Sequence, residues 1–524
     1  MNTKVDTILK TVESNKYRMI VEGALVGAGA GLLVSLFRLS LQKAESLRGS
    51  VLSNIHGLDG WMAIALAAVG CSVLVLYACC RFVPLCGGSG IPQVKGELIG
   101  KIEQPWYKII IAKFAGGVCA IGTGMSLGRE GPSIQMGSMV GKGYARLRGK
   151  VLNEEKMLMT CGAGAGLAGA FCAPLAGVVF ALEELHKNFS TEILLATMAA
   201  SVASDFVSSS LFGLEPVFHL PEIAQLPLGR YWLILILGVL LGVIGVLFNL
   251  CIDRTQNFYK WVSETWLKVV LPYAMVIPLA VICPVALGSG HGLVGQVASE
   301  EYALGFLAVL FVVKYIFSVF CFSSGVPGGT FLPMLVLGAL SGGIFALGTS
   351  DILGYSDMYV ATFVVLGMTG IFSSIARAPI TGTILITEMT GDFTNFLPLA
   401  LVALIAYVTA DILKGEPLYD QLLIRLISEK KPYGMATVHK AKKVLLHCEV
   451  YIGSQMDGLT IDKMGLPKGC LIVAVERRGK EIVPGGGTVI EGGDNLTLLC
   501  KQSDIHQVEL ILDEICRKIM KQKR

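Results

Sequence analysis

Long runs of apolar residues dominate the chain as far as about residue 428. "YWLILILGVLLGVIGVLF" (231–248) and "ALGFLAVLFVVKYIFSVFCF" (303–322) approach the ~20 residues that carry a helix across a bilayer. Other apolar runs are shorter, or are interrupted by Gly and Pro. From "ISEKKPYGMATVHKAKK" onward the pattern turns polar. There "CLIVAVERRGKEIVP" predicts strand, turn and strand, "NLTLLC" another strand, and "DIHQVELILDEICRKIMKQ" a closing amphipathic helix. The pattern thus predicts a polytopic membrane domain over 1–428, a linker over 429–445 and a small soluble module over 446–524.

Composition agrees. The chain is 53% hydrophobic and 16% charged, where soluble domains carry about 25% charged residues. The formal charge of +4 does not point to a nucleic-acid polymer as partner, because the basic residues gather at the two ends. Lys4, Lys10, Lys16 and Arg18 precede the first apolar run, and Lys430, Lys431, Lys440, Lys442 and Lys443 follow the last. By the positive-inside bias both termini are expected in the cytoplasm. The N-terminal residues lack the short apolar core and small-residue cleavage site of a removable signal. The 14 cysteines form no CxxC pair and read as small, reduced packing residues. No metal or cofactor is expected. "GAGLAG" (164–169) satisfies a dinucleotide fingerprint but lies in a Gly/Ala-rich apolar run and follows no strand, so helix packing explains it. His291 is a lone loop histidine.

The membrane part repeats. "PLCGGSGIPQV" (84–94) matches "PVALGSGHGLV" (284–294), and "APLAGVVFALE" (173–183) matches "APITGTILITE" (378–388). Between them "PSIQMG" (132–137) and "PMLVLG" (333–338) share a frame. Three matches in one order predict duplicated halves, about 20–215 and 230–425. Transporters built this way often invert one half and hold the substrate near the midplane, between broken helices. "GGSGIPQ", "GREGPS" and "SSGVPGGTFLP" each place glycines just before a segment that can start a helix, with a proline near the first turn. Such starts leave free N–H groups and a partial positive charge. Several aimed at the membrane centre make a site for a small anion, whereas a cation site needs carbonyls or carboxylates.

In these motifs the chain resembles a known family. "GSGIP" (88–92), "GREGP" (128–132), "GGTFLP" (328–333) and the late tyrosine of "GEPLYDQLL" (415–423) are similar to the signature set of the CLC chloride channels and chloride/proton antiporters. The resemblance covers residues 20–425. It implies an all-α fold, a CLC-type inverted repeat of broken and tilted helices. It also implies a transporter and not an enzyme, a homodimer, and a separate anion pathway in each subunit. Ser89, with Gly90 and Ile91, matches the family serine and amides that contact the central anion. Thr330, Phe331 and Leu332 match the loop whose N–H groups complete the site, and Tyr419 matches the tyrosine that offers its phenolic O–H. Taken singly, Ser89 also fits a helix cap and Tyr419 a buried interfacial tyrosine; the ordered motif set is what points to the anion.

Glu130 matches the family's external gating glutamate, which occupies an anion position when ionised and leaves it when protonated. A carboxylate at the centre of a bilayer costs roughly 2.5–3.5 kcal/mol, so a functional reading is the default. Arg129 is expected to be structural, bonding loop carbonyls and not the anion. Glu184 matches the internal proton glutamate of many family antiporters, with a surface carboxylate at a helix end as the alternative. Glu183 and Glu388, aligned in the repeat, look structural. Lys95 and Gln93 stand where some relatives carry acidic residues. The tail, with "LPKGCLIVAVER" and "GDNLTLLC", resembles the TrkA C-terminal regulatory module. That implies a dimeric α/β unit able to hold a small ligand such as a cyclic dinucleotide, and the pairing suggests a bacterium.

The expectation is therefore a proton-coupled chloride antiporter of a cell membrane. A passive voltage- or proton-gated chloride channel with the same pore is the first alternative, and a ligand-sensing regulator of ion flux acting through the tail is the second.

Overall fold

The computed structural model describes residues 2–55, 60–187, 190–221, 223–299, 302–353, 357–429 and 443–516, except 452, 467–469, 478–479, 502–507, 509–510 and 513–514. The chain divides into two compact units, Met1–Lys431 and Pro432–Arg524.

The first unit is helical. Seven of its described helices are long and apolar enough to span a membrane: Tyr17–Ser53, Gly60–Phe82, Thr191–Phe212, Trp232–Trp261, Thr265–Ile282, Leu304–Ser323 and Phe331–Ser350. Large side chains such as Leu74, Phe206 and Val281 point outward, as a lipid-facing surface requires. The Gly60–Phe82 helix buries only 11% of its most apolar stretch and the Phe331 helix 78%, so the first is peripheral and the second central.

Helix order repeats. The segments Tyr17–Ser53, Gly60–Phe82, Ile91–Leu98, Trp106–Gly122, Glu130–Leu147, Leu152–Phe171, Pro174–Phe180 and Thr191–Phe212 come first. Trp232–Trp261, Thr265–Ile282, His291–Ala298, Leu304–Ser323, Phe331–Leu353, Val360–Ala376, Pro379–Thr390 and Phe396–Ile412 follow in the same order. The second half of the repeat ends at Ile412, so the Leu418–Glu429 helix that bears Tyr419 stands after it with no counterpart. Packing is duplicated too. A methyl group at Gly137 would come within 2.2 Å of the Gly162 carbonyl oxygen, and one at Gly338 within 2.5 Å of that of Gly367. In each half, therefore, two helices meet backbone to backbone, which only glycine allows. The "GAGLAG" tract serves this packing: a methyl at Gly166 would strike the Ser133 carbonyl oxygen at 2.2 Å.

The second unit holds four antiparallel strands, β1 (Lys443–Glu449), β2 (Leu471–Arg477), β3 (Lys480–Ile482) and β4 (Asn495–Lys501), in the order β1-β4-β2-β3. The three strands expected from the sequence are β2, β3 and β4. β1 begins inside the stretch read as linker, where Leu445 pairs with Leu499 along β4; the rest of that linker, 430–442, is outside the described residues. Most of the closing helix is outside them as well, but Val508, Leu512 and Cys516 recur every four residues and are buried with Val475, Leu496 and Leu498 of the sheet.

Candidate functional site

Three glycine-rich loops, drawn from both halves, are knit together by backbone hydrogen bonds. Gly88 N donates to the carbonyls of Gly325 and Val326, both at 3.1 Å, and Gly328 N donates back to Gly88 at 3.1 Å. Gly128 N donates to Gly329 O at 2.6 Å, and Gly329 N returns to Gly128 O at 2.9 Å. Each loop leads into a helix, starting at Ile91, Glu130 or Phe331. Three helix N-termini with their free N–H groups therefore begin next to one another. Ser89, Gly90, Ile91, Thr330, Phe331 and Leu332 are all buried here. Contact is tight: a methyl group at Gly131 would lie 2.5 Å from both the carbonyl oxygen and Oγ of Ser89. The Ser89 hydroxyl thus rests on the first turn of the Glu130 helix.

Glu130 is fully buried. Its Oε2 accepts a hydrogen bond from Leu332 N at 3.3 Å, so a carboxylate of the first half docks on a helix start of the second. Its Oε1 is buried without a hydrogen-bond partner, as are Thr330 Oγ1 and Tyr419 Oη. The Tyr419 phenol is fully buried and lies within electrostatic reach of both the Glu130 and the Glu184 carboxylates. Its helix packs against Ile91–Leu98.

Glu184 is not on the surface. It sits in the π-helical turn Ala181–His186, and its side chain is only 7% exposed. Lys95, 6% exposed, donates to its Oε1 at 2.9 Å. The same ammonium bonds Asp420, whose other oxygen takes Lys187 at 3.2 Å. The wide π turn sends the neighbouring Glu183 elsewhere. Its carboxylate accepts from Thr381 N at 2.8 Å and Thr381 Oγ1 at 2.6 Å, at the start of the Pro379 helix. Glu388 reciprocates, accepting from Leu175 N at 3.0 Å and Ala176 N at 2.8 Å at the start of the Pro174 helix. Each aligned glutamate therefore caps the short helix of the other half.

Arg129 departs from expectation. Its Nε makes no hydrogen bond, and the side chain lines a cavity of about 250 Å³ with Arg38, Ser289 and His291. The His291 ring stacks on Phe218, with centroids 5.0 Å apart. A second cavity of about 260 Å³ reaches Ser89 and is lined by Lys260, Lys268 and Arg425. Gln93 at its wall donates to Gly87 O at 2.7 Å.

Two residues escaped the sequence reading. Lys113, fully buried, donates to the carbonyls of Cys86 at 2.9 Å and Gly88 at 2.6 Å. Lys314 does the same in the other half, to Ala286 at 2.9 Å and Gly288 at 2.7 Å. Each ammonium clamps a GSG loop. The repeat was the available signal, since the two lysines are 201 positions apart. Among the described residues no group of three or more His, Cys, Asp or Glu could hold a metal ion.

Two family models match the chain: the voltage gated chloride channel over residues 71–411 and the TrkA-C domain over residues 448–513. The H(+)/Cl(-) exchange transporter ClcA of Vibrio parahaemolyticus is 33% identical over 80% of this chain and 92% of its own length. The transporter of the same name from Yersinia pestis is 33% identical over 80% of this chain and 90% of its own. Among solved structures, a slow cyanobacterial Cl-/H+ antiporter aligns with TM-score 0.75 and 29% identity, covering 79% of this chain and 99% of that one. A eukaryotic CLC transporter, at 20% identity and TM-score 0.66, shares the fold over 79% of this chain and 74% of its own.

Proposed function

The chain belongs to the voltage-gated chloride channel family, and from that premise we propose that it exchanges chloride for protons across a cell membrane. The observation that carries the proposal is a pair of buried carboxylates, Glu130 and Glu184, the first of which takes the Leu332 N–H, with a buried Tyr419 phenol that makes no hydrogen bond of its own. Chloride is weakly basic and needs donors without a fixed cation that would hold it too tightly. Ser89, Tyr419 and the backbone N–H groups of Gly90, Ile91, Phe331 and Leu332 supply such donors. Glu130 contends for the same donors, since its carboxylate already takes the Leu332 N–H. Protonation removes that attraction and frees the place for an anion. Glu184, buried against Lys95, passes protons to and from the inside. Two titrating acids in series favour exchange over a passive channel, and the relatives named for exchange support the same choice.

The reading extends to the assembly. Two copies associate, each with its own pathway, both termini face the cytoplasm, and the C-terminal unit binds a small ligand of cyclic-dinucleotide type that adjusts flux. Reconstituted protein tests the core of it. In liposomes with an outward chloride gradient, the lumen should acidify as chloride leaves. Chloride efflux with no pH change leaves only the channel. Glu130→Ala and Glu184→Ala should each stop proton movement while chloride continues.

A further inference from the structure

A chain of alternating charges in the membrane unit is not used in full by the exchange reading: Glu184, Lys95, Asp420 and Lys187. It runs outward from buried to exposed, with side-chain exposures of 7%, 6%, 33% and 56%. Three elements contribute. Lys95 lies on the Ile91–Leu98 helix, six residues after Ser89, and Asp420 immediately follows Tyr419. A single ammonium thus ties the inner acid to the two elements that carry the side-chain donors of the anion site. Leaving a buried charge unpaired is costly, yet a carboxylate held by an ammonium at 2.9 Å resists taking a proton.

We propose that Lys95 is a positioning residue of the inner proton step, sharing its charge between Glu184 and Asp420 and shifting it wholly onto Asp420 when Glu184 accepts a proton from the cytoplasmic side. The proton comes from water at that face and rests on a Glu184 oxygen; Lys95 keeps its own three protons throughout. Asp420 is what makes the step affordable, because the ammonium is never left without a carboxylate. As Lys95 is drawn toward Asp420, the Tyr419 helix feels the protonation state of Glu184, which gives proton loading a route to the anion contact. The inference rests on Glu184 being the inner proton acceptor.

Other charged groups near Glu184 are accounted for. Glu97 on the Lys95 helix is taken by Lys142 and Gln104. Glu183 caps the Pro379 helix, and His186 faces the Thr160 hydroxyl at 3.4 Å and Lys156. Lys187 reaches Asp420, and the neutral Tyr419 phenol completes the set.

The test is the pH profile of proton flux, measured with chloride flux in the same proteoliposomes. Lys95→Met removes the cation that keeps Glu184 ionised, so half-maximal proton flux should move to about tenfold lower proton concentration. Asp420→Asn leaves the ammonium wholly to Glu184 and should move it about tenfold the other way. Lys95→Arg should restore the wild-type profile. Opposite displacements from two single changes, with the maximal chloride flux of each variant kept within about threefold of wild type, support the proposal; general damage would not move the profile in both directions. Wild-type profiles in both Lys95→Met and Asp420→Asn, with Glu184→Ala uncoupled, overturn it and leave the exchange reading intact. Coupling that survives in Glu184→Ala overturns the exchange route through Glu184 itself, and this proposal with it.

Discussion

Gly131 gives the sharpest check on the anion site, because the contact there is set by backbone. In Gly131→Ala the new methyl carbon would lie 2.5 Å from two Ser89 oxygens, roughly 0.9 Å inside an ordinary carbon–oxygen contact. Neither side can step back easily. The Ser89 loop is held by the backbone bonds of Gly88 to Gly325, Val326 and Gly328, and by the Lys113 ammonium. The Glu130 helix is pressed on its neighbour at Gly137, where there is no room for a methyl. Overpacking of this kind costs about 1–3 kcal/mol. Because the strain falls on Ser89, most of it should appear as lost chloride affinity, roughly 5- to 150-fold. Isothermal titration of chloride into the detergent-solubilised chain reads this directly. Gly70→Ala is the control, since a methyl there meets nothing within 4 Å, and it should bind as wild type. If Gly131→Ala binds chloride within twofold of wild type and melts normally, Ser89 is not at the anion and the site as described is wrong.

Other outcomes follow from the same contacts. Lys113→Met and Lys314→Met each strand two carbonyls and should lower the melting temperature alike, but only Lys113→Met, which releases the Ser89 loop, should weaken chloride binding, by about tenfold. Glu388→Ala uncaps the Pro174 helix and should cost about 2 kcal/mol of stability, while Glu388→Gln, which keeps one acceptor, should recover about half; thermal unfolding in detergent distinguishes them. In the C-terminal unit, burial raises the Asp494 carboxyl, but the hydrogen bonds from Arg477 and the Glu491 amide outweigh it and hold the group below its usual 3.8. A depressed carboxyl stabilises the fold fully above its unfolded value and loses that contribution as pH falls below about 4. Limited proteolysis of the full chain should therefore find this unit resistant from pH 7 down to about 5 and increasingly cut below 4, and Asp494→Asn should remove the step.

What the sequence made legible was local. The loops at Ser89, Glu130 and Thr330 are written in contiguous Gly/Pro motifs, and the duplicated halves in three ordered matches. Charges whose partners lie far along the chain were not legible. Lys95 and Glu184 are 89 positions apart, so an unusual lysine could be noticed without its ion pair. Lys113 donates only to carbonyls, which leave no mark on side-chain identity. Adjacent helical residues do not face each other, which separates Arg129 from Glu130 without saying where its side chain goes, and it lines a cavity with Arg38. None of β1 is among the expected strands, because "KVLLHCE" is short and runs straight on from a basic stretch, and only its pairing with β4 marks it as a strand. The second half read as 230–425 takes in the Tyr419 helix because the motif matches fix an offset and no end point, whereas the pairing of helices ends at Ile412.

The seam between the halves also bears on how ions can move. Rocking one half against the other would break the five loop bonds joining Gly88 and Gly128 to residues 325–329, the bond from Gly288 N to Gly124 O at 2.8 Å, and the Glu183 and Glu388 caps. At about 1 kcal/mol net for each neutral bond and more for those to charged groups, such a motion costs on the order of 10 kcal/mol before any packing is lost. Glu130, by contrast, is held to Leu332 by one hydrogen bond of 3.3 Å, with its other oxygen unpaired, and Lys95 already has two carboxylates to choose between. The labile contacts are thus side chains at the centre of the seam, and the costly ones are its backbone. A fold that fixes the donors of both halves in this way can still exchange its ions, provided the moving parts are carboxylates that gain and lose protons.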